Sequence, residues 1–495
     1  MSKKVVIIGS GFGGLTSGVI LSKNGFEVTV LEQGHQIGGC LQCFSRKGIK
    51  FETGMHFIGS ASPGQTIDRI FHFLEVDDKI KLSQLDQDCY NVISIRGKDY
   101  PMANGRENFI NQLSEFFPKQ KNNLEKYFDI VDKVAAASAL HSFRHAESDD
   151  IVNPYSLTHS VNEVIDNLIT DPLLAKVLVG DLPLYAAEKD KTPFATHAFI
   201  RDFYDQSAYR IVGGSDNLAI ALCQTIQSHG GEIYSNKKVT NIVCDDKKAL
   251  GVEVNDKDFI DADYVISDIH PIRTLELLNT KLIRPAYRNR VNGMPQTSGC
   301  FTVYLHFRKD SVRYMNHNYY AYADDPWQCE DYTDDTWPGG WLYMHFCNQK
   351  GQQYAEGGQI ISYMNINEVS RWRGTHVGNR GDDYKRFKQQ KAERLIKSLE
   401  RHFPNISNDI EDYYTSTPLT YLDYTGTADG SMYGIAKDIH LGAGCRVSHR
   451  TKVPNLFLTG QNVNSHGLLG TMVGTIVTCS EFLPSKEIYT QIIKS

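Results

Sequence analysis

Apolar and polar positions fall into blocks of three kinds along the 495 residues. The first, Val5-Val6-Ile7-Ile8, is unbroken, as in a parallel strand buried on both faces. Leu15 to Lys23 then predicts a helix, and Val28-Thr29-Val30-Leu31 a second buried strand. Within Phe109–Ala137, Leu124, Phe128, Ile130, Val131 and Val134 predict two helices whose charges form a solvated face. Val161, Val164, Ile165, Leu168 and Ile169 carry the same helical spacing through Asn153–Leu184. A helix over Leu218–His229 stops at Gly230-Gly231. Short strands follow at Glu232–Tyr234, Val239–Cys244, Gly251–Val254, Phe259–Ile260 and Asp263–Ile266, and their acidic turns predict a β-meander. Pro271–Pro418 is dense in aromatics, and Cys300–Phe307 alternates like a strand, with sheet core favoured over cavity wall for its aromatic face. Leu456–Thr459 predicts a last buried strand, and a helix is expected from about Gly470.

Strand and helix alternate at both ends of the chain and differ in style between them, so two intertwined domains are expected. The fold class predicted is α/β. A discontinuous Rossmann-like domain with a β-meander spans 1–75, 205–270 and 418–495, and an α+β substrate domain spans 76–204 and 271–417. Composition is that of a globular protein, 41% hydrophobic and 22% charged. A net charge of −6 gives no reason to expect nucleic acid. There is no run of eighteen apolar residues, and the first strand leaves no room for a signal peptide. The expected location is cytoplasmic, with peripheral membrane contact left open.

The first two strands bracket a dinucleotide-binding fingerprint. Gly9 permits a tight turn, Gly11 lets backbone approach a pyrophosphate, and Gly14 lets helix lie close on sheet. Phe12 and Gly13 share that loop, and the helix N-terminus would face the phosphates with its positive end. Glu32, ending the second strand, is placed for a ribose hydroxyl, which argues against NADP here. Beyond Glu32 and Gln33, the pair Gly38-Gly39 offers a second close backbone approach, which favours FAD over NAD. The first domain is therefore an FAD-binding domain. Gly54, Met55 and His56 extend the expected cofactor site, Gly54 being read as a point that something large approaches. Val239 is placed in the same site, with Gly460, Gln461, Gly467, Leu468, Gly470 and Thr471 at its far end. There Gly460 would pass beneath the ligand, and the following helix would aim its N-terminus at the flavin.

Ten cysteines show no framework spacing. Cys40-Leu41-Gln42-Cys43 invites a redox or metal reading, but no second CxxC or histidine pair completes a zinc site and no metal is expected. Flavin disulfide reductases space their pair as CxxxxC and carry a second GxGxxG, which is missing here, so packing is the favoured role. The electron donor stays open between NAD(P)H bound in the cleft and a redox partner.

Taken together, Gly38-Gly39-Cys40, Phe44, Gly48, Phe51, Thr53-Gly54, His56 and Ile58-Gly59 resemble the flavin-containing amine-oxidase superfamily. The resembling branch holds phytoene desaturases, carotenoid isomerases and retinol saturases, and the retinol saturase form is the most similar. Pro193-Phe194, His197-Ala198, Tyr209 and Gly213-Gly214-Ser215 are similar in mid-chain, as are Tyr433-Gly434 and Leu458–Gln461 with Gly467 near the end. Arg210-Ile211-Val212 departs from the Tyr-Pro-Arg style common there. The resemblance implies a redox step at a carbon–carbon double bond of an apolar polyene, isoprenoid or lipid. Saturation is the leading reading; desaturation, cis–trans isomerisation and a flavin-bearing binding protein without turnover are the alternatives. Candidate proton donors are His56, Tyr433, His197 and His466, with the first two preferred.

Overall fold

The computed structural model describes residues 2–143 and 154–495. Asn153, the expected head of the second helical run, lies outside the described residues. At the centre is a five-stranded, all-parallel sheet in the order Glu232–Tyr234, Glu27–Leu31, Lys4–Ile8, Tyr264–Ser267, Leu456–Leu458. Val5 to Ile8 are buried, as their unbroken apolar run requires. Thr29 and Val265 flank Val6 in register.

The helix Phe12–Lys23 packs one face of this sheet, between the helices Asp216–Ser228 and Gly467–Cys479. Thr16 and Thr475 share a hydroxyl hydrogen bond of 3.0 Å across that contact. On the opposite face lies a three-stranded antiparallel meander, Val239–Cys244, Ala249–Val254 and Asp258–Asp261. The meander is shorter than the sequence suggests. Glu232–Tyr234 and the strand Tyr264–Ser267 instead join the parallel sheet, where Ile233 and Ile266 pack under the helices while Val265 meets the meander from the other face.

Two helices also begin earlier than expected. The first starts at Phe12 rather than Leu15, and the last at Gly467 rather than Gly470. Glycines in a first turn are poor helix formers, but in the first helix Gly13 and Gly14 are buried, and tertiary packing overrides propensity.

The second layer is a seven-stranded mixed sheet ordered Ile410–Ser416, Gly299–Phe307, Gly357–Met364, Gly340–His345, Asn318–Tyr322, Asn91–Ile95, Lys98–Met102. Only the pairing of Asn318–Tyr322 with Asn91–Ile95 is parallel. Helices Arg106–Phe116, Lys121–Ala136 and Phe194–Gln206 cover one face, and Asp382–Glu400 the other. The strand Gly299–Phe307 is buried on both sides. Phe301, Val303, Leu305 and Phe307 enter the core under Asp382–Glu400, while Tyr304 meets the aromatic cluster around Phe51. Phe51 touches Phe44, Tyr304 and Phe346 at centroid distances of 5.1, 6.0 and 5.6 Å. Such pairs contribute about 0.5–1.5 kcal/mol each. They clamp the strand Ile49–Glu52 immediately ahead of Gly54 and His56. Among the described residues no helix is long and apolar enough to cross a membrane.

Candidate active site

One cavity of about 320 Å³ joins the two layers. Glu32, Gln33, Lys237 and Val239 line one end, the Gly9–Gly13 loop follows, and Tyr322, Trp341, Ile361 and Tyr363 of the mixed sheet form an aromatic wall. The expected cofactor residues line this cavity, except Gly14, Gly460 and Gly470.

Those three glycines make room for neighbouring parts of the protein. A side chain on Gly14 would overlap the carbonyl of Gly9, and one on Gly470 would lie 2.7 Å from Ser465 Cβ. Gly460, at φ +88°, would overlap the carboxylate of Asp268. Gly54 lines the cavity, yet the large group that approaches it is Cys40, 2.9 Å from where its Cβ would stand. Gly39 likewise lies against Gly11 Cα at 3.1 Å, so the second glycine pair stacks one backbone loop on another.

This end fits FAD on its own geometry. Glu32 Oε2 accepts from Ser10 N at 3.1 Å and Ser10 Oγ at 2.6 Å, and Oε1 accepts from Gly34 N at 2.7 Å. The carboxylate is thereby fixed at the cavity edge, where it would accept from a ribose hydroxyl. Beside it the wall is bare backbone at a helix N-terminus, the surface that a pyrophosphate uses. Glu32, Ser10, the Gly9–Gly13 loop and the Gly38-Gly39 pair would hold the adenosine and pyrophosphate half.

Sequence reasoning missed Asp268. It follows the strand Tyr264–Ser267, beside the fingerprint strand, and lines the cavity. Burial pushes its carboxyl up to about 7, and the Glu32 charge adds to the shift. The available signal was positional: an acid just past the carboxyl end of a parallel strand adjoining the fingerprint.

The four candidate proton donors divide into two pairs. His56 and Tyr433 line the cavity. His56 Nδ1 lies 2.8 Å from Gln359 Nε2 and 3.7 Å from Glu52 Oε2. Gln359 Oε1 is buried and otherwise without a partner among the described residues, so the amide is satisfied when turned to let Oε1 accept from Nδ1–H. Arg210 donates through Nη1 to the His56 carbonyl at 3.4 Å and through Nη2 to Asn318 Oδ1 at 2.8 Å. The residue that departs from the family pattern is thus a buried brace under the His56 segment. Tyr433 donates to the Pro183 carbonyl at 3.1 Å, and burial raises its phenol above the usual range.

His197 and His466 do not line the cavity. His197 is buried between the hydroxyls of Tyr127 and Tyr185, at 2.6 and 2.7 Å, and burial holds it down to about 3. His466 stacks on Tyr433 at a centroid distance of 4.2 Å, and burial likewise holds it down to about 3. Neither ring reaches the cavity wall; His197 spends both nitrogens on tyrosines, whereas His466 Nε2 has no partner among the described residues, and a motif position does not report which side of a wall the ring occupies.

Cys40 and Cys43 are free thiols. Burial pushes Cys40 up to about 11 and Cys43 up to about 12, and Cys43 Sγ sits 3.5 Å from Ser215 Oγ. Neither is a ready thiolate.

A model of the flavin-containing amine oxidoreductases matches residues 12–478. All-trans-retinol 13,14-reductase from Rattus norvegicus is 28% identical over 98% of this chain and 86% of its own length. The enzyme of that name from Homo sapiens is 27% identical over 99% of this chain and 86% of its own. Among solved structures, an oxidoreductase from Methanosarcina mazei matches with a TM-score of 0.65 at 18% identity, covering 96% of this chain and 99% of its own.

Proposed function

The chain belongs to the flavin-containing amine oxidoreductase family, and within it we propose a saturase that reduces a carbon–carbon double bond of a long apolar polyene of the retinol type. It is an FAD-dependent oxidoreductase. One observation carries the reading: the cavity that opens on the dinucleotide loop continues, without a break, to an apolar aromatic wall. That geometry brings a cofactor and a long apolar substrate into one enclosed space, and relatives similar over nearly the whole chain are retinol reductases.

When bound, FAD supplies the hydride chemistry for the step. The chain's own residues must then hold the polyene, exclude water and deliver a proton to the carbon beside the one reduced. Tyr322, Ile361 and Tyr363 provide the apolar surface. His56 is the proton source in this account, entering the step with both ring nitrogens protonated and left as neutral imidazole once Nε2 gives up its proton, while Gln359 and Arg210 keep its ring and its backbone in place. Tyr433 is tied to Pro183 and forms wall rather than acid. Tyr424 lines the cavity and is 53% exposed, so it puts an aromatic ring at the mouth where an apolar substrate would enter from a carrier or a membrane surface.

The test is product mass under anaerobic conditions with all-trans-retinol. A gain of about two mass units with reduced protein supports saturation. A loss of about two with oxidised protein would mean desaturation, and an unchanged mass with altered retention would mean isomerisation.

A further inference from the structure

The dinucleotide loop already holds an anion. Asp268 Oδ2 lies 2.5 Å from the position that a Cβ on Gly11 would take, and Oδ1 lies 2.5 Å from that of Gly13. The carboxylate thus lies against the loop at the N-terminus of the helix Phe12–Lys23. A dinucleotide's pyrophosphate draws on this same helix end. Three glycines and Gly460 therefore have a second reason to lack side chains: they make room for a carboxylate.

No cation faces Asp268 among the described residues that line the cavity beside it. Glu32, from the end of the second strand, adds negative charge, and the Cys40 thiol faces it from the Gly39–Leu41 turn. The segment after Leu456–Leu458 and the helix Gly467–Cys479 bring Gln461 and Thr471, which do not ionise. His270, two residues on, is bonded to Gln296 and held down to about 4 by burial. Lys237 lines the cavity, and its ammonium is paired with Asp258 at 3.6 Å. A pyrophosphate arriving next to an ionised Asp268 would meet an uncompensated like charge in a poorly hydrated site.

We propose that Asp268 is a proton-linked gate on cofactor entry: its carboxylate stands against the Gly11–Gly14 loop in the flavin-free chain and takes up one proton when FAD binds. The proton comes from solvent, and the neutral carboxyl then has an O–H to donate and no charge to oppose the phosphates. Burial has already moved this carboxyl up to about 7, so the uptake falls in the working range of pH. With rising pH the free carboxyl ionises, and the FAD association constant falls, approaching about tenfold per pH unit above that point. Below about pH 6 it is flat.

Calorimetric titration of FAD into flavin-stripped full-length protein, in phosphate and in Tris, reads the proton count directly. At about pH 8 wild type takes up close to one proton per FAD. Asp268→Asn takes up none, binds FAD about tenfold more tightly than wild type at that pH, and matches it near pH 6. Cys40→Ser keeps the wild-type count. Binding by wild type without uptake would overturn the proposal, since Asp268 would then move aside still charged. Retained uptake in Asp268→Asn would overturn it too. If that variant does not fold, the two-buffer comparison on wild type still decides.

Discussion

A histidine is useful to a reaction only through a nitrogen that is not already spent. His56 spends Nδ1 on Gln359 and keeps Nε2, whereas His197 spends both nitrogens on tyrosine hydroxyls. His56→Gln should therefore lower kcat by about 100-fold or more while the flavin spectrum and KM change little. Steady-state kinetics alongside the visible spectrum checks this; an unchanged kcat would remove His56 from the reaction. His197→Gln should leave kcat per folded molecule unchanged. Its folded pKa of about 3 lies below that of an exposed histidine. The sign follows: the stability that neutral His197 contributes is whole above about pH 6.5 and is lost as pH falls toward 3, at about 1.4 kcal/mol per pH unit. Urea midpoints should show the variant most destabilised near neutrality and converging with wild type in acid. Both histidines stand in motif-like surroundings, and the sequence had no means of separating them. Their difference lies in Tyr127, Tyr185 and Gln359, which are distant along the chain.

At the scale of elements, the glycines of the first helix are not equivalent. On Gly14 a methyl would overlap the backbone carbonyl of Gly9, which cannot yield without opening the turn. On Gly18 it would meet Ile226 Cδ1 at 2.8 Å, the free end of a side chain that can rotate. Gly14→Ala should purify with little flavin and lose about 1–3 kcal/mol or more. Gly18→Ala should retain its flavin with a stability change of about 1 kcal/mol or less. Flavin-to-protein ratios and thermal midpoints distinguish the two; equal loss at both sites would contradict the assignment. The fingerprint strand, turn and acid were legible because they are local, contiguous and periodic. Other features needed the tertiary fold. Gly54 answers to Cys40, Gly460 to Asp268, and the strand Tyr264–Ser267 chose the parallel sheet over the meander only because Val5 to Ile8 offered it an edge. The helix start at Phe12 was hidden for a related reason. Local propensity counts against glycine in a first turn, and only burial shows why Gly13 and Gly14 are accepted there.

For the whole molecule, function follows from continuity between the layers. The parallel sheet presents backbone N–H groups and Glu32, the mixed sheet presents aromatic side chains, and Arg210 and the Phe51 cluster hold the His56 segment between them. The dense aromatic stretch over Pro271–Pro418 was legible as core and only partly as cavity wall. Tyr322, Trp341 and Tyr363 do both, since a sheet edge that ends at a cavity buries the same rings either way. The central claim is that this shared cavity passes reducing equivalents from flavin to an apolar double bond. Photoreduced protein mixed anaerobically with all-trans-retinol tests it in a single turnover, with flavin absorbance and product mass followed together. The account predicts that oxidised-flavin absorbance returns as one equivalent of product about two mass units heavier appears. Flavin that stays reduced while retinol remains unchanged, or is only isomerised, would contradict it.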